Sequence, residues 1–287
     1  MKMIGCVCVI AKTTLLDLVR QKVFSILIVF ALVAIGSSLF MEKLSFAEEF
    51  QMLKDICLGA MSVFTILLAI LATANLLPRD LEDRTIYTLL AKPVPRYAYL
   101  IGRLGGVCML LLIFTLLMTA VSAAVLWLRE MAVIGEIMQI HYASSEEAFN
   151  AVRSVREATF TAGLVPGVTL IFIKAAVLAA VTLLISTFST SALFTIMIGA
   201  AVYFIGQLQS TAREFFISSE SGTWAMRGFV AILSLLLPDL QVFNLTDDVI
   251  GGAAIPMGIF LRTAGLGIVY VIVYTAVSAW IFSKREL

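Results

Sequence analysis

The chain has 287 residues, of which 61% are hydrophobic and 14% charged, with 20 Lys and Arg against 19 Asp and Glu and one His, for a net charge of +1. A soluble domain is about 45–50% apolar and about 25% charged, and the mean hydropathy here is +1.04. This balance excludes a soluble enzyme, a nucleic-acid binder with a basic face and a disordered chain, so that no nucleic-acid partner is expected. An all-α integral membrane protein forming a single transmembrane domain over 1–287 remains, because a crossing segment must satisfy its own backbone hydrogen bonds.

In chain order, residues 4–22 read as an amphipathic helix. Ile4, Val7, Ala11, Leu15 and Leu18 recur at helical spacing, and Lys12, Asp17, Arg20 and Gln21 gather elsewhere, the pattern of a helix lying in the membrane interface. A plain extension of the first crossing is the alternative. Six apolar runs then meet the need for about 20 residues per crossing: 23–41, 56–77, 100–128, 168–186, 191–209 and 263–282. The first exceeds the roughly 7–15 residues of a signal-peptide core and lacks a small-x-small site, so it is read as a crossing.

Placing the N-terminus inside puts eleven of the 20 Lys and Arg, but five of the 19 Asp and Glu, in the short segments 1–22, 78–103, 187–190 and 283–287. By the positive-inside rule both termini are expected in the cytoplasm, in a multi-pass inner-membrane protein.

The loop 78–99 carries the most information. Asp80, Glu82 and Asp83 suit the first turns of a helix, where the macrodipole favours negative charge, and Lys92 with Pro93 suits its end. A helix of about 12 residues, roughly 18 Å long, is expected between them, with Ile86, Leu89 and Leu90 as its apolar side. Pro93 and Pro95 then set a rigid bend before the third crossing. A rigid, charged helix here reads as a docking element; a surface-lying loop whose charges set topology is the bland reading.

The two long outer segments are expected to hold structure of their own. Phe149, Val152, Val155 and Phe160 alternate with Arg153, Arg156 and Glu157, predicting a helix on the outer surface. The apolar run from Phe229 to Leu237, ended by Pro238, is too short to cross, and residues 249–260 are rich in Gly; both read as re-entrant or interfacial. Within the crossings Lys174 is the one clear charge, either snorkelling to the outer end or serving a pathway or gate. No Asp, Glu or His lies mid-crossing, which disfavours coupling to an ion gradient.

No Walker A pattern and no HExxH occur. Cys6, Cys8, Cys57 and Cys108 lack metal-ligand spacing and His141 stands alone, so neither a metal nor another cofactor is expected, and an enzyme is disfavoured. The 12 Met residues read as packing filler. A transport role would therefore draw its energy from a partner or from the gradient of the substrate.

Four features in order carry a family resemblance. They are Glu82, Arg84-Thr85-Ile86, Leu89-Leu90-Ala91-Lys92-Pro93, Pro95-Arg96 and Gly102-Arg103 in the loop; Ser186 to Ala192 between crossings four and five; Leu237 to Leu245; and the six-crossing layout. With these the chain resembles the ABC-2 type permease subunits of ATP-binding-cassette transporters, most closely the group that includes the permease of nitrous-oxide-reductase maturation systems. Arg84 stands where that family often has Gly. The resemblance implies an N-terminal interfacial helix, six crossings, re-entrant helices before the sixth, and a coupling helix that docks on a separate cytoplasmic ABC ATPase. It also implies pairing with a second permease subunit, as homo- or heterodimer, in the lipid bilayer. The positions matched to docking are Asp80, Glu82, Asp83, Arg84, Thr85 and Ile86; those matched to loop structure are Lys92, Pro93, Pro95, Arg96, Gly102 and Arg103. A gradient-driven carrier or channel, and a non-transporting scaffold subunit, are the competing readings.

Overall fold

A computed structural model of the chain describes residues 2–38, 46–82, 95–140, 145–159, 161, 163–218, 237–244 and 256–284. Among them there is no strand. The helices are α1 (Lys2–Val19), α2 (Lys22–Ser37), α3 (Phe46–Ala74), α4 (Leu76–Glu82), α5 (Arg96–Ile140), α6 (Ser145–Thr159), α7 (Leu164–Ser186), α8 (Ala192–Ser218) and α9 (Met257–Lys284), with a 3₁₀ turn at Gln241–Phe243 before the last. Helices α3, α5, α7, α8 and α9 are each long and apolar enough to cross a membrane, and the pair α1–α2, bent by 64°, supplies a sixth candidate.

Proline and small polar groups punctuate these helices. Pro78 has no N–H, and its ring opposes the carbonyl of Ala74, which explains the break between α3 and α4 at Asn75. Pro95 caps α5, accepting from the N–H of Ala98 at 2.9 Å, and Pro256 caps α9, accepting from Ile259 at 2.9 Å. Between α7 and α8 the turn is closed by the Ser189 hydroxyl, which donates to Ser191 O at 2.8 Å and accepts from Ser191 N–H at 3.2 Å.

The six expected crossings coincide with helices, but four of those helices run well past the apolar runs. Helix α5 has 45 residues, about 68 Å at 1.5 Å per residue, against a hydrocarbon core of about 30 Å. Part of segment 129–167, expected outside the membrane as a loop, is therefore the continuation of α5. Helix α6 folds back on that continuation as a hairpin, burying Val155 beside Val133 and Ile137, and Arg156 meets Glu130 at 3.6 Å. A helix is found where one was predicted, at Ser145–Thr159, but Phe149, assigned to its apolar side, is 71% exposed. Helix α3 begins at Phe46, inside segment 42–55, while α8 continues to Ser218 and α9 starts at Met257. The apolar run from Phe229 and the Gly-rich stretch lie largely outside the described residues; Leu237 and Pro238 are described, and Leu240 N–H donates to Gly206 O at 3.0 Å, so that this segment folds onto α8.

Helix α7 is the centre of the bundle. It is apolar on every side and buried along most of its length, with Ala175, Ala176, Ala179 and Ala180 among its buried residues. Small residues let helix backbones approach where lipid gives no hydrophobic drive for association. Helices α3, α5, α8 and α9 pack around it. One apolar cluster joins α2, α3, α5 and α7; a second joins α7, α8, the turn at Phe243 and α9.

Helix α1 packs along the start of α5 through the face read in the sequence, with Ala11 and Leu18 buried and Val7 and Leu15 half-buried, widened to take in Ile10 and Thr14. Its buried stripe is Ile10, Ala11, Thr14 and Leu18. A Cβ added at Gly102 would stand 2.7 Å from Ile10 Cγ2, and one at Gly106 would stand 2.8 Å from Ala11 O. Glycine on α5, rather than lipid, therefore decides which side of α1 is covered. The variant Gly106→Val is expected to lose roughly 1–3 kcal/mol by overpacking against the α1 backbone. Gly135, where an added Cβ meets nothing within 4 Å, is its control: Gly135→Ala is expected to gain about 0.5–1 kcal/mol from helix propensity. Thermal unfolding of both variants in detergent, followed by circular dichroism, checks this pair.

Candidate functional site

Residues 83–94, which carry Asp83, Arg84, Thr85, Ile86, Lys92 and Pro93 and most of the expected docking helix, lie outside the described residues. The structure does place the two helices that enter and leave this segment. Helix α4 brings Asp80 and the backbone of Glu82 to its start, and α5 brings Pro95, Arg96, Gly102 and Arg103 from its end.

Arg96, Tyr99 and Arg103 stand at i, i+3 and i+7, so that they share one face of α5. Arg103 lies 8% exposed and Asp80 likewise 8%. The guanidinium of Arg103 donates from Nη2 to Asp80 Oδ2 as a short ion pair, from Nε to Tyr99 Oη at 3.3 Å, and from Nη1 to Thr14 Oγ1 at 3.3 Å. Tyr99 Oη donates in turn to the same Asp80 oxygen, and Thr14 Oγ1 donates to Ile10 O at 2.8 Å. The Arg103 guanidinium also lies 5.4 Å from the Tyr99 ring centroid. A buried charge is tolerated when paired and hydrogen-bonded, and here one pair takes ligands from α1, α4 and α5.

The last crossing joins at the same end. Arg96 Nη1 donates to Ser283 O at 3.2 Å and to Phe282 O at 3.5 Å, carbonyls that the end of α9 leaves without intrahelical partners. Tyr99 stacks on Phe282 with ring centroids 6.1 Å apart. Lys284 Nζ sits 4.1 Å from the ring centroid of Trp280. The two chain positions that bracket residues 83–94 are thus tied to each other by Asp80–Arg103, to α1 by Thr14 and to α9 by Arg96.

These contacts put Asp80 in a different position from the one matched to docking: its carboxylate is turned inward and engaged. Gly102, matched to the return into the third crossing, lies within α5 where Ile10 of α1 approaches it. Tyr99 and Thr14 were not singled out by sequence reasoning. Tyr99 stands four residues before Arg103, a spacing that signals a shared face, whereas nothing local marks Thr14.

Lys174 is 3% exposed and stands ten residues into α7, about 15 Å from its start. It does not snorkel. Its Nζ lies 5.8 Å from the centroid of the Tyr203 ring on α8, and no hydrogen bond from it is found among the described residues. No family model matches the chain, and no curated protein matches it.

Removing one partner of a buried pair strands the other charge, at a cost of about 3–5 kcal/mol. Asp80→Leu and Arg103→Met are each expected to lose about that much, whereas the two combined recover most of it. A double-mutant cycle on unfolding in detergent measures the coupling. For Lys174 the balance runs the other way. A cation at the centre of a crossing costs about 2.5–3.5 kcal/mol, and a ring contact returns about 0.5–2 kcal/mol. Lys174→Met is therefore expected to match or exceed the parent in thermal unfolding by on the order of 1 kcal/mol.

Proposed function

We propose that this chain is the membrane-spanning permease subunit of an ABC transporter of the ABC-2 type, moving a substrate across the inner membrane with energy from ATP hydrolysed by a separate cytoplasmic ATPase. The observation that carries the reading is the pinning of both flanks of residues 83–94 by one buried pair, Asp80–Arg103, which also holds α1 and lies beside the Arg96 tie to α9. Force applied to that segment reaches α1, α4 and α5 through buried polar contacts and α9 through the more exposed Arg96 hydrogen bonds and the Tyr99–Phe282 stack. Packed elements of this kind switch between arrangements as rigid bodies rather than deforming continuously. The absence of a Walker A pattern from the sequence supports an external source of work.

In this reading both termini and loop 78–99 face the cytoplasm, in keeping with the Lys and Arg excess there. Glu82, Asp83, Arg84, Thr85 and Ile86 meet the ATPase. Asp80, Arg96 and Arg103 carry the motion inward, and Lys92, Pro93 and Pro95 stiffen the return into α5. A second permease subunit, identical or related, completes the transporter.

Purified alone, the chain is expected to hydrolyse no ATP; expressed with its cognate ABC ATPase, it is expected to copurify with that subunit. Glu82→Lys and Arg84→Glu are expected to weaken the association about tenfold or more, the effect of losing a hydrogen bond to a charged group at an interface. Binding by biolayer interferometry and ATP-dependent uptake in proteoliposomes give the two readouts. Normal association together with normal transport in both variants sinks the coupling assignment.

A further inference from the structure

A cavity of about 410 Å³ lies between α3, α5 and α7, within the ~300–1,000 Å³ typical of ligand sites. Its walls are apolar. Cys57, Leu58, Met61 and Leu126 are buried, while Leu116 at 59% and Val165 at 75% exposure form its rim on the outer surface of the bundle. That surface is the one an apolar bundle turns to lipid, so the cavity opens sideways into the bilayer.

One end of this cavity is charged. Lys54 lines it and is 2% exposed. Its Nζ donates to Thr161 Oγ1 at 3.4 Å, and no carboxylate pairs with it among the described residues. A buried ammonium held by a single long hydrogen bond to a hydroxyl is under-compensated, because buried charges are ordinarily paired. Lys54 also stands two residues before the apolar run 56–77, at the depth where a crossing meets the headgroup layer. From Lys54 to Met61 the lining extends seven residues along α3, about 10 Å towards the middle of the crossing. A cation at headgroup depth with an apolar slot running inward from it matches one class of molecule in shape and in charge.

We propose that this cavity holds an acyl chain of an anionic phospholipid from the surrounding bilayer, with the lipid phosphate paired to Lys54. The phosphate supplies the counter-charge that the fold omits, and the acyl chain fills space that side chains leave open. Such a lipid bridges α3, α5 and α7. The inference needs only that the helices lie in a bilayer, and it stands or falls apart from the transport reading.

Native mass spectrometry of the full chain, reconstituted in mixed phosphatidylglycerol and phosphatidylcholine nanodiscs and released into detergent, provides the test. The parent is expected to retain one phosphatidylglycerol in preference to phosphatidylcholine. Lys54→Met is expected to lose that preference by about tenfold or more, the effect of removing a hydrogen bond to a charged group, and Lys54→Arg to keep it. Ala123→Phe, which fills the cavity without touching the charge, is expected to lose the bound lipid while its circular dichroism stays that of the parent. If Lys54→Met does not fold, the Arg and Phe variants decide the matter: retention in the first with loss in the second supports the site. Equal retention of both lipids by the parent, retention unchanged by Ala123→Phe, or binding of laurate with no binding of phosphatidylglycerol overturns it.

Discussion

The arrangement turns on a buried ion pair. Asp80 and Arg103 belong to helices that residues 83–95 separate in the chain, and each is largely buried. In water such a pair contributes little. Away from water each partner becomes a condition for the presence of the other, because either alone is a stranded charge. That condition fixes the register of α4 against α5, and the remaining donors of Arg103 extend it to Tyr99 and Thr14. The pair is thus a device for holding particular helices in a particular relation.

A second constraint operates at the centre. Helix α7 has no polar face to offer and buries alanines and large apolar side chains alike, so that packing positions it. The two constraints act on different parts of the bundle. Polar contacts govern the end where α1, α4, α5 and α9 meet, and close packing governs the interior between α3, α5, α7, α8 and α9. A motion introduced at the polar end therefore travels as displacement of whole helices, since the interior offers little room for local adjustment. Under the proposed reading, this division makes the polar knot the place where motion enters the bundle.

The positions of charge tell a related story. Lys174 and Lys54 are both buried, yet their surroundings differ. Lys174 faces an aromatic ring within a packed interface, which offsets part of the cost of its charge. Lys54 faces an open apolar slot and a hydroxyl. The first is explained by its neighbours within the chain; the second asks for something from outside.

Read without coordinates, the chain specifies its class and most of its helices. Apolar runs of about 20 residues dictate crossings, because unpaired backbone is too costly in lipid, and the prolines at 78, 95, 166 and 256 mark breaks or first turns that the structure keeps. Runs of hydropathy end where polarity rises, however, whereas a helix ends where its hydrogen bonds end. For that reason α3, α5, α8 and α9 extend beyond the runs, and the α5–α6 hairpin was legible as a helix without being legible as a hairpin. The acidic and basic residues around 80 and 103 were visible as a charged loop and its return. That two of them close on each other, that Thr14 reaches them from the far N-terminus, and that glycines at 102 and 106 select the covered face of α1 were decided by tertiary structure alone. Local pattern records how each residue suits its own helix; a salt bridge or a close approach depends on distances between segments that the pattern does not contain.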